Sequence, residues 1–144
     1  MAFLVDTNIL VYCFDPRFPA KQAAARDELR KGLVEDTARL PHQALLEFVS
    51  VVTRVRSGPK SLLTSAEARH EAEELMVQFQ VLFPNASILR SALRAAAAYQ
   101  FSWYDAHMWA YAEHYGLEEI LSEDFEHGRL YGGVRVRNPF HRGG

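Results

Sequence analysis

Four acidic residues each border or interrupt an apolar segment: Asp6 in "FLVDTNIL", Glu47 in "QALLEFVSVVTRV", Asp105 in "SWYDAHMWAYA" and Asp124 in "LSEDFEHG". Each also has an ordinary use. Asp6 suits a helix N-cap. Glu47 recurs with Gln43, Ser50 and Arg54 at helical spacing, the pattern of a solvated stripe. Asp105 follows Ser102 by three residues and could support a helix start. Asp124 could serve a turn, with Glu123 and Glu126 as competing acids. Gathered in one pocket, the four would mean something else. Two carboxylates about 5 Å apart repel by roughly 3 kcal/mol at an effective dielectric near 20, so a cluster of them needs protons or cations. Oxygen-only donors select a hard cation, Mg²⁺ or Mn²⁺, over zinc. Such a cation can activate water against a phosphodiester and offset charge on the phosphate, so metal-dependent phosphodiester hydrolysis is the chemistry expected. Thr7, Asn8 and Ser122 add hydroxyl and amide groups within reach of the acids.

Bringing these residues together requires a particular succession of elements. "AFLV" has the length of a strand, and "NILVYCF" continues it with helical spacing. "PAKQAAARDELRKGL" predicts a second helix ending near Gly32, and "ARL" before Pro41 a second strand. A helix is expected from His42 to Arg56, closed by "SGPK". Thr64 and Glu67 form a capping-box pattern for a helix reaching about Gln80, and Asn85 is the N-cap of "ASILRSALRAAAAYQF" after the strand "VLF". A further helix runs from Tyr104 to Tyr115 and stops at Gly116; its Trp, Tyr and Ala content predicts burial. "EIL" and "VRVR" complete five strands, the last expected at a sheet edge. Strands alternating with helices predict an α/β fold with a central, mainly parallel five-stranded sheet flanked by helices in three layers. Ligands of such sheets bind beyond the carboxyl ends of the strands, where Asp6 and Asp124 fall.

The 144 residues suffice for one core and predict a single domain over 1–144. The lone Cys13 cannot form an intrachain disulfide and no Cys/His cluster suggests zinc. With neither a signal peptide nor a long apolar run, a cytoplasmic protein with no membrane association is expected. The net charge of −2 hides a local balance: with four acids committed to a cation, 14 others face 16 Lys and Arg. Arg54, Arg56 and Lys60 form one basic cluster and Arg135, Arg137 and Arg142 another. These could hold nucleic-acid phosphates or simply be solvated. The six histidines, His107 and His127 included, lack metal spacing. Trp103, Tyr104, Trp109 and Tyr111 could stack on bases, although their crowding on one helix also fits core or dimer packing.

The segments "FLVDTNILVY", "LLEF", "SWYDAHMWAYA" and "ILSEDFEHG", closed by "GVRVRNPF", resemble the PIN-domain ribonucleases, above all the VapC toxins of toxin-antitoxin pairs. The resemblance spans essentially the whole chain. It implies that Asp6, Glu47, Asp105 and Asp124 are the catalytic acids around Mg²⁺ or Mn²⁺, with Thr7, Asn8 and Ser122 in support. It further implies a homodimer, cleavage of RNA of the transfer or ribosomal class, and a VapB-like antitoxin whose tail occupies the groove to the site. Three rivals remain from the residues themselves. An aspartate-nucleophile phosphatase would fit "VDTN" but normally needs a second aspartate where Asn8 stands. A DNA nuclease would use the same chemistry, and a metal-free interaction module would use the acids to attract a basic partner.

Overall fold

The computed structural model of the chain describes residues 1–55 and 60–141. From the N-terminus, β1 (Phe3–Val5), α1 (Thr7–Tyr12), α2 (Pro19–Val34), β2 (Ala38–Pro41), α3 (His42–Val52) and α4 (Ser65–Gln78) follow one another. They lead into β3 (Gln80–Leu82), α5 (Ala86–Tyr99), α6 (Trp103–His114), β4 (Glu119–Leu121), β5 (Leu130–Tyr131) and β6 (Val134–Arg137). The sheet runs in the order β3-β2-β1-β4-β6-β5, parallel except for the β5/β6 hairpin.

This order explains the continuous apolar run of β1. It lies between β2 and β4, and all three of its residues are buried. Purely parallel strands covered on both faces carry no polar alternation. From β1 the chain builds outward through β2 to β3, then returns to lay β4 on the other side of β1. That reversal is the topological switch point, where the connections leaving two neighbouring strands diverge and a crevice opens. α1, α2, α3 and α4 pack with one another, and α5 pairs with α6.

Local signals set most element ends. Thr64 and Glu67 make a reciprocal capping box on α4, and the side chains of Asn85 and Ser102 cap α5 and α6. Three expectations change. The sheet has six strands, because the two-residue β5 pairs with β6; "VRVR" therefore lies inside the sheet between β4 and β5 instead of at its edge. α2 runs past Gly32 to Val34. A Cβ on Gly32 would stand 2.6 Å from the Ala38 Cβ and 3.2 Å from the Phe3 ring, so this glycine admits the close approach of α2 to the sheet. α3 ends at Val52, before Arg54, while Arg56 and the "SGP" segment lie outside the described residues. Among the described residues no helix is long and apolar enough to cross a membrane.

Candidate active site

β1 delivers Asp6 to the switch point. Its backbone N–H donates to the Leu121 carbonyl at the end of β4 (3.0 Å), which fixes the two strand ends side by side. Its side chain then caps α1: Oδ1 accepts from the Thr7 N–H at 2.7 Å. Capping takes only one oxygen. Oδ2 accepts from the Ser122 hydroxyl at 2.6 Å and from the Asn8 amide at 3.3 Å. Asp6 is 5% exposed and Ser122 fully buried. Burial raises the Asp6 carboxyl from its ordinary 3.8 to about 7; the Ser122 bond opposes the shift and the Asp124 and Asp105 charges add to it.

Asn8 links the strand ends across 116 residues of sequence. Its Nδ2 lies 3.1 Å from Asp124 Oδ2 and 3.3 Å from Ser122 Oγ, and its Oδ1 accepts from the Glu123 N–H at 3.2 Å. Ser122 Oγ also accepts from the Asp124 N–H at 3.0 Å, which holds the loop after β4 in place. Glu47 enters from α3. Its Oε1 accepts from the Thr7 hydroxyl at 3.1 Å and from Gln43 Nε2 at 2.9 Å. Asp105, in the first turn of α6, is half-buried. Burial raises its carboxyl, the Ser102 bond lowers it, and Asp124 and Glu47 raise it further. The acids lie near enough for their charges to act on one another, Asp124 and Asp105 on Asp6 and Asp124 and Glu47 on Asp105, and among the described residues no lysine or arginine hydrogen-bonds to any of the four.

Two partners were not legible beforehand. Gln43 is more than part of a solvated stripe: its amide also donates to the Tyr104 carbonyl at 3.2 Å, and its Oε1 lies 2.6 Å from His107 Nδ1. A chain of contacts therefore runs from α6 through Gln43 and Glu47 to Thr7. Burial lowers the His107 pKa, in keeping with a neutral ring donating through Nδ1. Lys21 was unassigned; its ammonium bonds Glu123 at 2.6 Å, and Tyr12 donates to the same carboxylate at 2.5 Å. Glu123 is thereby engaged away from the four acids, and Glu126 pairs with Arg129. Only the helical spacing of Gln43 from Glu47 could have hinted at the first of these networks.

Of the basic residues, Arg54 and Arg135 are exposed, whereas Arg137 bridges Glu28 and Glu119 at 2.6 and 2.9 Å. A phosphate at Arg137 would have to displace two carboxylates. Arg56 and Arg142 lie outside the described residues. Trp109 and Tyr111 are core residues, while Trp103 and Tyr104 are exposed.

The donor set suits a hard cation: four carboxylates with hydroxyl and amide neighbours, one of them buried and held near neutrality by its surroundings. Among the described residues no group of three or more histidine, cysteine, aspartate or glutamate side chains stands together tightly enough to hold one ion.

A chain of a toxin-antitoxin complex from Klebsiella pneumoniae superposes with a TM-score of 0.68 at 17% identity, covering 96% of this chain and 98% of that one. VapBC2 from Rickettsia felis, bound to a DNA fragment from their promoter, gives 0.70 at 10% identity over 96% and 98%. Mycobacterium tuberculosis VapC20, a sarcin-ricin loop cleaving toxin, gives 0.62 at 16% over 85% and 90%. At these identities the likeness is one of fold. No curated protein matches the sequence. The sequence model of the PIN domain matches residues 3–133, which takes in the switch point and all four acids; the chain belongs to the PIN domain family.

Proposed function

We propose that the protein is a Mg²⁺- or Mn²⁺-dependent endoribonuclease, a toxin of the VapC type held in check by a VapB-like antitoxin. The observation that carries this reading is the buried Asp6 carboxyl, joined through Ser122 and Asn8 to Asp124 at the carboxyl ends of two adjacent parallel strands, where burial raises it. Such a group is costly to ionise in isolation, and a bound cation favours its charged form. Asp6, Glu47, Asp105 and Asp124 are the residues that would hold the cation. When bound, it supplies water activation and neutralises charge on the phosphate.

The chain's own groups do the positioning. Thr7 and Ser122 hold the two oxygens of Asp6, and Asn8 ties Asp124 to the same point. Thr7 and Gln43 both bind Oε1 of Glu47, which leaves Oε2 as the oxygen to accept a proton from the attacking water. Arg54 and Arg135 are the exposed candidates for flanking phosphates, with Arg56 a further one, whereas Arg137 is engaged by Glu28 and Glu119. RNA is the substrate favoured over DNA, with transfer or ribosomal RNA as the class, because one structural neighbour cleaves the sarcin-ricin loop.

Support for the partner comes from the neighbours that are toxin-antitoxin complexes and from a cleft of about 260 Å³ between α2 and α4. Leu29, Leu33, Leu75 and Phe79 line it, an apolar seat for an amphipathic antitoxin segment. Exposed Leu46, Leu89 and Leu93 offer surface for a homodimer. A single domain working in the cytoplasm completes the reading.

The test is RNA cleavage by purified protein with Mn²⁺ and with chelator. Cleavage should require the cation, and Asp6→Asn, Glu47→Gln, Asp105→Asn and Asp124→Asn should each lower the rate by on the order of 100-fold or more. An Asp6→Asn protein that cleaves at the wild-type rate would remove the assignment.

A further inference from the structure

Beyond α1 the chain folds back through Asp15, which is buried and receives three bonds from Arg17: from its backbone N–H (3.1 Å), Nε (2.9 Å) and Nη2 (2.7 Å). The guanidinium is thereby fixed in orientation. Its terminal nitrogens keep N–H groups that these bonds do not take, since a guanidinium carries five donors. Phe18 follows, 44% exposed, with Arg17 5.4 Å from its ring centroid and Lys21 5.8 Å from it on α2. A phenylalanine kept partly in water between two cations, on a segment otherwise tied down by hydrogen bonds, calls for an occupant.

Its position says which. A cavity of about 330 Å³ begins at Thr7, Asn8, Glu47 and Asp124 and ends at Arg17 and Phe18. A second, of about 480 Å³, begins at the same two residues and continues past Lys21 to Phe140. Arg17 and Phe18 are thus the ridge between two hollows, the first of which contains two of the proposed catalytic acids. A strand of nucleic acid alternates a flat ring with an anion, and this surface alternates a ring with cations. The apolar cleft between α2 and α4 is the better seat for a protein segment.

We infer that the Arg17–Phe18 ridge is a subsite for single-stranded RNA next to the bond that is cut. This rests on the ribonuclease reading. Phe18 stacks on a base adjoining the scissile phosphodiester and Arg17 donates to a flanking phosphate, while Lys21, its ammonium bonded to Glu123, borders the continuing path without a free charge to offer. Asp15 offsets the charge of Arg17, so that contact is directional more than electrostatic, and the base stack contributes most of the selectivity for unpaired RNA.

The experiment measures binding of a mixed-sequence single-stranded oligoribonucleotide, and of the same sequence as a duplex, to Asp6→Asn protein with and without Phe18→Leu. Phe18→Leu should weaken single-strand binding about tenfold and leave the weaker duplex binding unchanged. Arg17→Lys, which keeps the charge and loses the fork, should weaken it severalfold and serves as the second probe should Phe18→Leu fail to fold. Equal single-strand affinity in the folded variants overturns the proposal. So does loss of antitoxin binding with RNA affinity unchanged, which would assign the ridge to the protein partner. Absence of cleavage by the wild-type protein, with Phe18-dependent RNA binding intact, would sink the ribonuclease reading and leave this subsite standing.

Discussion

Replacing Asp6 by asparagine should stabilise the protein at alkaline pH and destabilise it at acid pH. Burial lifts the Asp6 carboxyl from 3.8 to about 7. At 1.36 kcal/mol per pKa unit, the ionised form costs the native state about 4 kcal/mol relative to the unfolded chain. The native state holds its proton more tightly, so the stability linked to this group is present in full below the unfolded value. It is lost progressively as pH rises from about 4 through about 7. Asparagine cannot ionise and escapes that loss. Its amide nitrogen, however, cannot accept the bonds that Oδ2 receives from Ser122 and Asn8, a penalty of about 1 to 3 kcal/mol. The balance favours Asp6→Asn by about 1 to 3 kcal/mol near pH 8 and favours the wild type by the bond penalty alone near pH 4. Urea unfolding in the presence of chelator, at several pH values, measures both. Adding Mn²⁺ at neutral pH should then raise wild-type stability and leave the variant unmoved, since only a native-state ligand shifts the equilibrium. A difference between the two proteins that stays constant from acid to alkaline pH would show that Asp6 ionises at its ordinary value and that the electrostatic account of the site is wrong.

Two further outcomes test other parts of the molecule. Gly32→Ala should destabilise by about 1 to 3 kcal/mol despite the better helix propensity of alanine, because the new methyl meets the Ala38 Cβ, which is fixed to a buried strand; thermal unfolding at or above the wild-type midpoint would contradict that packing. A cognate antitoxin should copurify and block cleavage, truncation of its tail should restore cleavage, and Leu33→Glu at the exposed rim of the α2/α4 cleft should abolish copurification while the free protein still folds. Full activity of the intact complex would count against inhibition by occupancy.

The parts of this structure that sequence foretold are those written in local chemistry. Thr64 with Glu67, Asn85 and Ser102 each satisfy helix N–H groups within three residues, so their roles can be read without knowledge of the fold. β1 was legible because burial on both faces leaves a run of apolar residues, and the parallel sheet followed from the alternation of elements. What escaped depended on pairing over distance. β5 has two residues and exists only through its bonds to β6, and that pairing is what moves "VRVR" from the edge to the interior. Gln43 looked like any polar helix residue until α6 brought Tyr104 and His107 against it. Asn8 was visible as a neighbour of Asp6, but its grip on Asp124 and Glu123 becomes evident only once β4 lies beside β1.

That same adjacency sets an order of events during synthesis. Asp6 and Asn8 leave the ribosome well before Ser122 and Asp124, which are bonded to Asp6 and to Asn8 respectively and lie 116 positions further along the chain. Until β4 arrives, the innermost strand of the sheet has one open edge, and the acidic pocket lacks a wall. Between the synthesis of Asp6 and that of β4, which proceeds at about 5 to 20 residues per second, a nascent chain therefore carries no assembled site. The arrival of β4 both seals a sticky strand edge and completes the acidic pocket. On the proposed reading, a chain made beside the RNA of the translating ribosome has, by the order of its own strands, no complete acidic pocket until β4 has been made.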